Sequence, residues 1–491
     1  MSPQVLIAGA GPTGLTLAID LARRGVEVRI VDRAAEFFAG SRGDGIQPRT
    51  LEVFDDLGVL DAVRAAARPP APMHVYLGGE FATERRMFEP REATPAVPYP
   101  NPLMLGQSDT ERLLRDRLAD FGVRVELSTA LADFTQDGSG VTATLAGPGG
   151  PETVRADYLV GADGGRSTVR RVLGIPFEGT TDESIRMLLG DVRIDALDHT
   201  YGYWFAEPDA PMTGIALSPL PGGRLFQFAA PLTDDVEPTR ALLQSYVERF
   251  THRTDLRIGE LAWSTVWRPN VRLAQRFRDG RAFLAGDAAH AHPPTGGQGM
   301  NTGIQDAYNL GWKLAAALRG GLDLGNAPLG PDALLDSYET ERRAVAARVL
   351  GISTGLMEKH VAGDEDAMRR GPETQQLDIT YRTADSSGPL VSGDRAPDAP
   401  LRRADGTPVR LFDLFRGPHA TLLSFDGSGP NAEGIEAYSI IGPGATPSDG
   451  RLVAVDGHAF ADYAAGAGTR VLVRPDGYVA WRTDVQPPAA R

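Results

Sequence analysis

Three runs in this chain carry residue types able to hold a charged nucleotide. The first is Gly9-Ala10-Gly11-Pro12-Thr13-Gly14. Gly9 suits a tight turn, Gly11 lets the backbone approach a pyrophosphate, and Gly14 lets a helix pack closely on a strand. Pro12 and Thr13 open that helix, whose unpaired N–H groups and dipole favour an anion. The second run is Val160-Gly161-Ala162-Asp163-Gly164-Gly165-Arg166-Ser167. Asp163 either faces the nucleotide or caps a helix beginning near Ser167, and both readings stay open. The third runs from Ala285 to Asn301 and holds Gly286-Asp287, His290, His292, Pro293-Pro294, Gly296-Gly297 and Gly299-Met300-Asn301.

Asp287, His290 and His292 invite a metal reading. In an extended segment, however, the two histidines point to opposite sides, prolines follow at once, and no further ligand group is near. No metal is expected. A polyol fits better: Asp287 accepts hydrogen bonds from a ribityl chain, and Pro293 and Pro294 stiffen the approach. Gly296, Gly297 and Gly299 lay bare N–H groups against a flat ring, and a helix start at Met300–Asn301 stabilises negative charge there. Asp32, with Arg33 beside it, ends a second strand where adenosine ribose hydroxyls would lie. The first run alone fits FAD and NAD equally. Two nucleotide signals so far apart point to a flavin held lengthwise, and hence to FAD.

The elements that must position these runs are legible in outline. Val5-Leu6-Ile7-Ala8, a helix through Leu15 to Ala22 and Val26 to Asp32 form a βαβ unit. Arg68 to Pro102 is proline-rich and reads as an excursion. Helical spacing covers Thr110 to Phe121, and a hairpin is expected around Gly147 to Gly150. Alternating aromatic stretches at Thr200 to Phe205 and Leu225 to Ala230 predict an antiparallel sheet. Helices are expected over Thr239 to Phe250, Thr302 to Leu318 and Ala333 to Met357.

The chain has 491 residues, 42% of them hydrophobic and 23% charged, as in an ordinary globular protein of two or three domains. A formal net charge of −14 argues against nucleic-acid or anionic-membrane partners. The absence of cysteine excludes disulfides, thiolate metal sites and thiol redox chemistry. No leader pattern and no apolar stretch of spanning length stand out, so the expected location is the cytoplasm.

The three glycine-acid runs, in this order, resemble those of the single-component, class A flavoprotein aromatic hydroxylases, the para-hydroxybenzoate and phenol hydroxylase group. Ser41-Arg42-Gly43, Gln47-Pro48-Arg49-Thr50-Leu51-Glu52 and Gln107-Ser108-Asp109-Thr110-Glu111 add to the resemblance. Within that group the chain is most similar to hydroxylases that tailor aromatic polyketides and to rifampicin monooxygenases. The likeness is tightest through Arg343 and weaker after Gly363. It implies an α/β and α+β architecture. A Rossmann-like FAD-binding domain would cover 1–73, 103–182 and 273–362, and an inserted antiparallel-sheet substrate domain 74–102 and 183–272. A linker over 363–392 would lead to a C-terminal thioredoxin-like domain at 393–491. Without cysteines that last domain is structural or a dimer surface, and the protein is expected to be a monomer or homodimer.

The resemblance further implies that Arg42 and Gln107 contact the ribityl and phosphate region, Asp287 the ribityl or pyrophosphate, and Asp163 the pyrophosphate. Arg42 to Asp44 would lie near a mobile ring, and Arg49 would be structural or line the substrate pocket. Pro294, Gly296 and Gly297 would flank the isoalloxazine. NADPH would bind transiently, since no second fingerprint exists to build a domain for it. Dioxygen would add at the flavin C4a carbon, and the hydroperoxide would pass one atom to an electron-rich ring. Tyr201, Tyr203, Phe205, Phe226, Phe228 and Pro293 are the expected substrate contacts, with Trp204 on the opposite strand face; core packing is the alternative for each ring. No dedicated base is evident. The competing activities are Baeyer–Villiger or N-oxygenation of a large antibiotic such as a rifamycin, a flavin reductase without oxygen insertion, and a flavin-fold binding protein without turnover.

Overall fold

The structure is a computed structural model describing residues 3–182, 185–234, 236–293, 296–323, 328–362, 370–429, 432–445 and 450–483. Val5–Ala8 is apolar at every position and buried on both faces, as a central parallel strand must be. It pairs in parallel with Val28–Val31 on one side and Tyr158–Gly161 on the other. Ala282–Leu284 pairs in parallel with Tyr158–Gly161. Three strands separated by more than a hundred residues therefore end side by side, and each is followed by one of the glycine-acid runs. In open parallel sheets the crevice outside the carboxyl ends of the strands is where ligands bind.

Helix Pro12–Ala22 covers this sheet and meets the long helix Gly299–Leu318. The approach is close because Gly303 and Gly311 face it: a Cβ on Gly303 would lie 2.4 Å from Thr13 Oγ1, and one on Gly311 2.3 Å from Asp20 Oδ2.

A second, seven-stranded sheet runs in the order Glu260–Trp267, Arg186–Arg193, Leu225–Leu232, Ala210–Pro219, Gly202–Glu207, Met73–Leu77, Glu80–Arg85. Met73–Leu77 joins Gly202–Glu207 in parallel, so the proline-rich excursion contributes two strands to the aromatic sheet. One face of this sheet carries Leu188, Val192, Tyr203, Phe205, Leu217, Phe226 and Phe228 and buries them with Leu243, Val247 and Phe250 of helix Arg240–Thr251.

The C-terminal part forms another seven-stranded sheet, mixed in direction, around Ala420–Phe425 and Ile435–Ile441. The described part of the expected linker is not loose. Thr374, Gln376, Ile379 and Leu390 are buried. Gln376 Nε2 donates to Gln298 Oε1 (2.8 Å) and to Thr302 Oγ1 (3.1 Å), so polar side chains of this segment are engaged in internal hydrogen bonds. Among the described residues no helix is long and apolar enough to cross a membrane.

Candidate active site

At the strand ends the glycines divide by what limits them. Gly9 has φ +105°, and a Cβ there would lie 2.2 Å from the Ala162 carbonyl oxygen; one on Gly14 would lie 2.0 Å from the Gly9 carbonyl oxygen. Both are glycine because the protein leaves no room. A Cβ on Gly11 would meet no atom of the described residues within 4 Å. Its bareness faces a groove, as close approach of a pyrophosphate requires. Asp32 accepts from the backbone N–H groups of Ala10 and Ala34, both at 2.8 Å, and this holds its carboxylate at the groove edge. Arg33 is exposed.

Ser167 caps helix Thr168–Val172 by accepting from the Arg170 N–H (3.0 Å), and Asp163 supports the same helix start by accepting from the Thr168 N–H (2.6 Å). The other oxygen of Asp163, Oδ1, is buried without a hydrogen-bond partner among the described residues, so the Thr168 contact does not use up the carboxylate. Gly286, at φ +60°, brings the third run against the first: a Cβ on it would lie 2.5 Å from Thr13 Oγ1. Asp287 follows in the groove and is exposed, yet walled by protein. Desolvation pushes its carboxyl above the ordinary value, against the pull of His290 and Arg42. Gln107 opens helix Gln107–Asp120, and its amide donates to Glu111 (2.7 Å). Arg42 is exposed and stacks over the Phe38 ring at 4.3 Å.

Among the described residues no side chain caps the N-terminus of helix Gly299–Leu318. Its first N–H groups, those of Gly299, Met300 and Asn301, are therefore available to a ligand. The Asn301 side chain ties the neighbourhood together, donating to the carbonyls of Gly45 and Gly297 (2.8 Å each) and accepting from the Gln47 N–H (2.9 Å). Pro294 and Thr295 lie outside the described residues.

The two histidines of the third run meet rather than diverge: His290 Nδ1 lies 2.7 Å from His292 Nε2. His290 Nε2 reaches Asp306 Oδ2 at 2.6 Å, the Gly286 N–H donates to the same oxygen at 3.0 Å, and Arg342 Nε donates to Asp306 Oδ1 at 2.7 Å. Burial alone would raise the Asp306 carboxyl, but His290 and Arg342 outweigh it and hold it low. Burial, and then His290, push His292 well below its usual range. Asp306 was not singled out from sequence; it positions the Gly286 turn from a helix twenty residues away. No group of side chains suited to a metal occurs among the described residues.

Beside the glycine turn lies a cavity of about 1110 Å³. Its wall runs from Gln47, Gly296 and Gly297 across the second sheet to Trp204, Trp263 and Trp267. It contains none of the six expected substrate contacts. Tyr203, Phe205, Phe226 and Phe228 are buried on the far face of the sheet with the helix. Tyr201 stacks on His74 at 3.8 Å, and Pro293 is buried away from the wall. The bulkier set of alternating side chains is the one the amphipathic helix covers, which leaves Trp204, Gln227 and Ala229 on the cavity side. Arg49 is buried too, bound to Glu52 (2.6 Å) and to the Asp476 carbonyl (2.7 Å), and is structural.

One further group faces the cavity, the carboxylate of Asp44. Its loop is fixed at both ends. Ser41 donates through N and Oγ to Asp191 (2.8 and 2.5 Å), while Gly45 and Gln47 are held by Asn301. Burial, with the charge of Asp191 adding to it, raises Asp44 to about 6.

The FAD binding domain family matches residues 2–353, and the aromatic-ring hydroxylase C-terminal family matches 390–491. A flavin-dependent monooxygenase of Mycobacteroides abscessus is 42% identical over 98% of this chain and 97% of its own. The 12-dehydrotetracycline 5-monooxygenase/anhydrotetracycline 6-monooxygenase of Streptomyces rimosus is 34% identical over 98% of this chain and 95% of its own. The solved ternary complex of aklavinone-11 hydroxylase with FAD and aklavinone superposes with a TM-score of 0.82 at 30% identity, covering 99% and 96% of the two chains. With the bare Gly11 groove, the unpartnered Asp163 oxygen and the uncapped helix fitting FAD, this chain belongs to the FAD-dependent aromatic-ring hydroxylases and is a monooxygenase of that family.

Proposed function

We propose that the protein inserts one atom of dioxygen into a fused-ring phenol of polyketide type, with NADPH as reductant. The observation that carries this reading is the cavity: six of the nine methionines and three of the five tryptophans line it. Methionine walls adapt to large irregular ligands, and a volume of about 1110 Å³ exceeds that of a usual small-molecule site, leaving space for a multi-ring substrate beside the flavin ring at Gly296–Gly297. The tetracycline-modifying relative and the aklavinone complex point to the same substrate class.

FAD, which Gly11, Asp163 and Asp287 would hold, would supply the two-electron redox and oxygen-transfer chemistry. The chain's own residues do the rest. The uncapped N–H groups at Gly299 to Asn301 favour negative charge beside the Gly296–Gly297 turn. The sheet face with Trp204, Trp263 and Trp267 holds the substrate plane and keeps water out. Asp44 accepts the phenolic proton at a carboxylate oxygen. The O–H electron pair stays on the substrate oxygen and enriches the ring carbon that is attacked. A base with a pKa of about 6 is ionised at neutral pH and close enough to it to be effective.

The test is turnover of the purified yellow protein with NADPH, labelled dioxygen and a panel of hydroxyanthraquinones. The expected product is a new phenol carrying one labelled oxygen. A ring-expanded ester would establish the Baeyer–Villiger reading, and an unlabelled reduced product would establish a reductase.

A further inference from the structure

The cavity has a second theme, charge. Its described lining contains Arg42, Arg68, Arg86, Arg186 and Arg370 against the single carboxylate of Asp44, in a chain whose formal net charge is −14. Surface composition would give the opposite balance, so the arginines mark a ligand preference.

Strand register sorts them. Met73 pairs with Gly202 on one side and Arg85 on the other, so Arg86 stands beside the Pro69–Pro72 run that Arg68 opens. The His199–Thr200 turn, just before Gly202–Glu207, comes to the same end of the sheet. Burial, and then the charge of Arg68, push His199 below its ordinary pKa. Asp195, Asp198 and the Arg224 backbone pull the other way without reversing this.

Arg186 begins the strand Arg186–Arg193 opposite Leu232, at the other end of the sheet. Arg42 belongs to the flavin side, where its charge acts on Asp287. Among the described residues Arg68 has no carboxylate within ion-pair distance, and Arg86 has only Glu84 at 4.0 Å. Arg68 and Arg86 line the cavity as exposed side chains of one sheet end, and two neighbouring guanidinium groups without a good counter-ion are suited to receive one from the ligand.

We propose that the substrate is an anion, a polycyclic aromatic bearing a carboxylate, whose charge is met by Arg68 and Arg86 where strands Met73–Leu77 and Gly202–Glu207 begin. Its rings then extend along the methionine and tryptophan wall toward Gly296–Gly297. The proposal rests on the reading of this cavity as an aromatic-substrate site.

The test uses the FAD-loaded protein and the quenching of its tryptophan fluorescence by two probes of one shape, anthraquinone-2-carboxylate and anthraquinone-2-carboxamide. The carboxylate is expected to bind at least about 10-fold more tightly, with the advantage shrinking as salt is raised. Arg68→Gln and Arg86→Gln each remove most of that advantage, leave carboxamide affinity unchanged and leave flavin content intact. Arg186→Gln keeps it. Equal affinity for the two probes in the wild type overturns the proposal and leaves the aromatic reading standing. So does a preference that survives both variants, or one lost only in Arg186→Gln. Failure of both probes to bind removes the aromatic-site reading and the proposal together. Competition by NADP⁺ that depends on Arg68 and Arg86, without a carboxylate preference, assigns the arginines to the dinucleotide and overturns the proposal.

Discussion

A glycine can be required by the protein or by its ligand, and the two cases predict different variants. Gly9 and Gly14 have backbone where a Cβ would go, whereas Gly11 has open groove. Gly9→Val is expected to give no soluble folded protein. Gly11→Val is expected to fold with a melting temperature near that of the wild type and to purify largely colourless, read as the ratio of flavin to protein absorbance. Asp44 makes a paired prediction about activity and stability. Its folded-state pKa of about 6 is above the ordinary carboxylate value, so the fold binds the extra proton and is most stable on the acid side. That stability is lost as pH rises from about 4 through about 6. Asp44→Asn should therefore be more stable than the wild type at pH 8, by about 1–2 kcal/mol, with the gain vanishing toward pH 4 in denaturant melts. The same variant should lose roughly 10²- to 10⁴-fold in kcat/KM and lose the limb of the pH profile that rises through about pH 6 in the wild type.

Elements decide which face of a strand a side chain serves. Phe205 and Trp204 are neighbours on one strand, one buried beneath helix Arg240–Thr251 and the other on the cavity wall. Phe205→Ala is expected to cost about 3–5 kcal/mol in unfolding measurements. Trp204→Ala should leave stability within about 1 kcal/mol and raise KM for an aromatic substrate. This is also where the sequence is least legible. Both faces of Gly202–Glu207 carry rings, Tyr203 and Phe205 on one and Trp204 on the other, and alternation cannot say which set a distant helix covers. The second and third glycine turns were readable because strand, turn and acid lie within a dozen residues of each other, and the first because it opens a βαβ unit that Asp32 closes. Asp306 was not, because it acts across space. It joins His290, the Gly286 N–H and Arg342 in one buried cluster. Asp306→Ala should destabilise by about 3–5 kcal/mol, since it strands the Arg342 charge, and adding Arg342→Met should recover part of that loss.

At the scale of the whole molecule, the C-terminal sheet is fastened to the FAD-binding part by ions that sequence could not pair. Arg395 holds Glu52 beside Arg49, and Arg474 spans Glu341 (2.7 Å) and Asp476 near Lys313. Glu52 lies 343 residues from Arg395 and Glu341 133 residues from Arg474, separations across which the charge pattern alone pairs nothing. The sheet thus braces helix Gly299–Leu318, whose N-terminus faces the groove. The account as a whole depends on three turns, at Gly9–Gly14, Gly161–Gly165 and Gly286–Asp287, clasping one extended cofactor. The most direct measurement is a crystal structure of the protein grown with FAD. The predicted result is one FAD per chain, its pyrophosphate against Gly11, its ribityl chain beside Asp287 and its ring edge on the Gly296–Gly297 turn. A groove left empty at saturating FAD, or one whose walls close over Gly11 with no nucleotide between them, would contradict it.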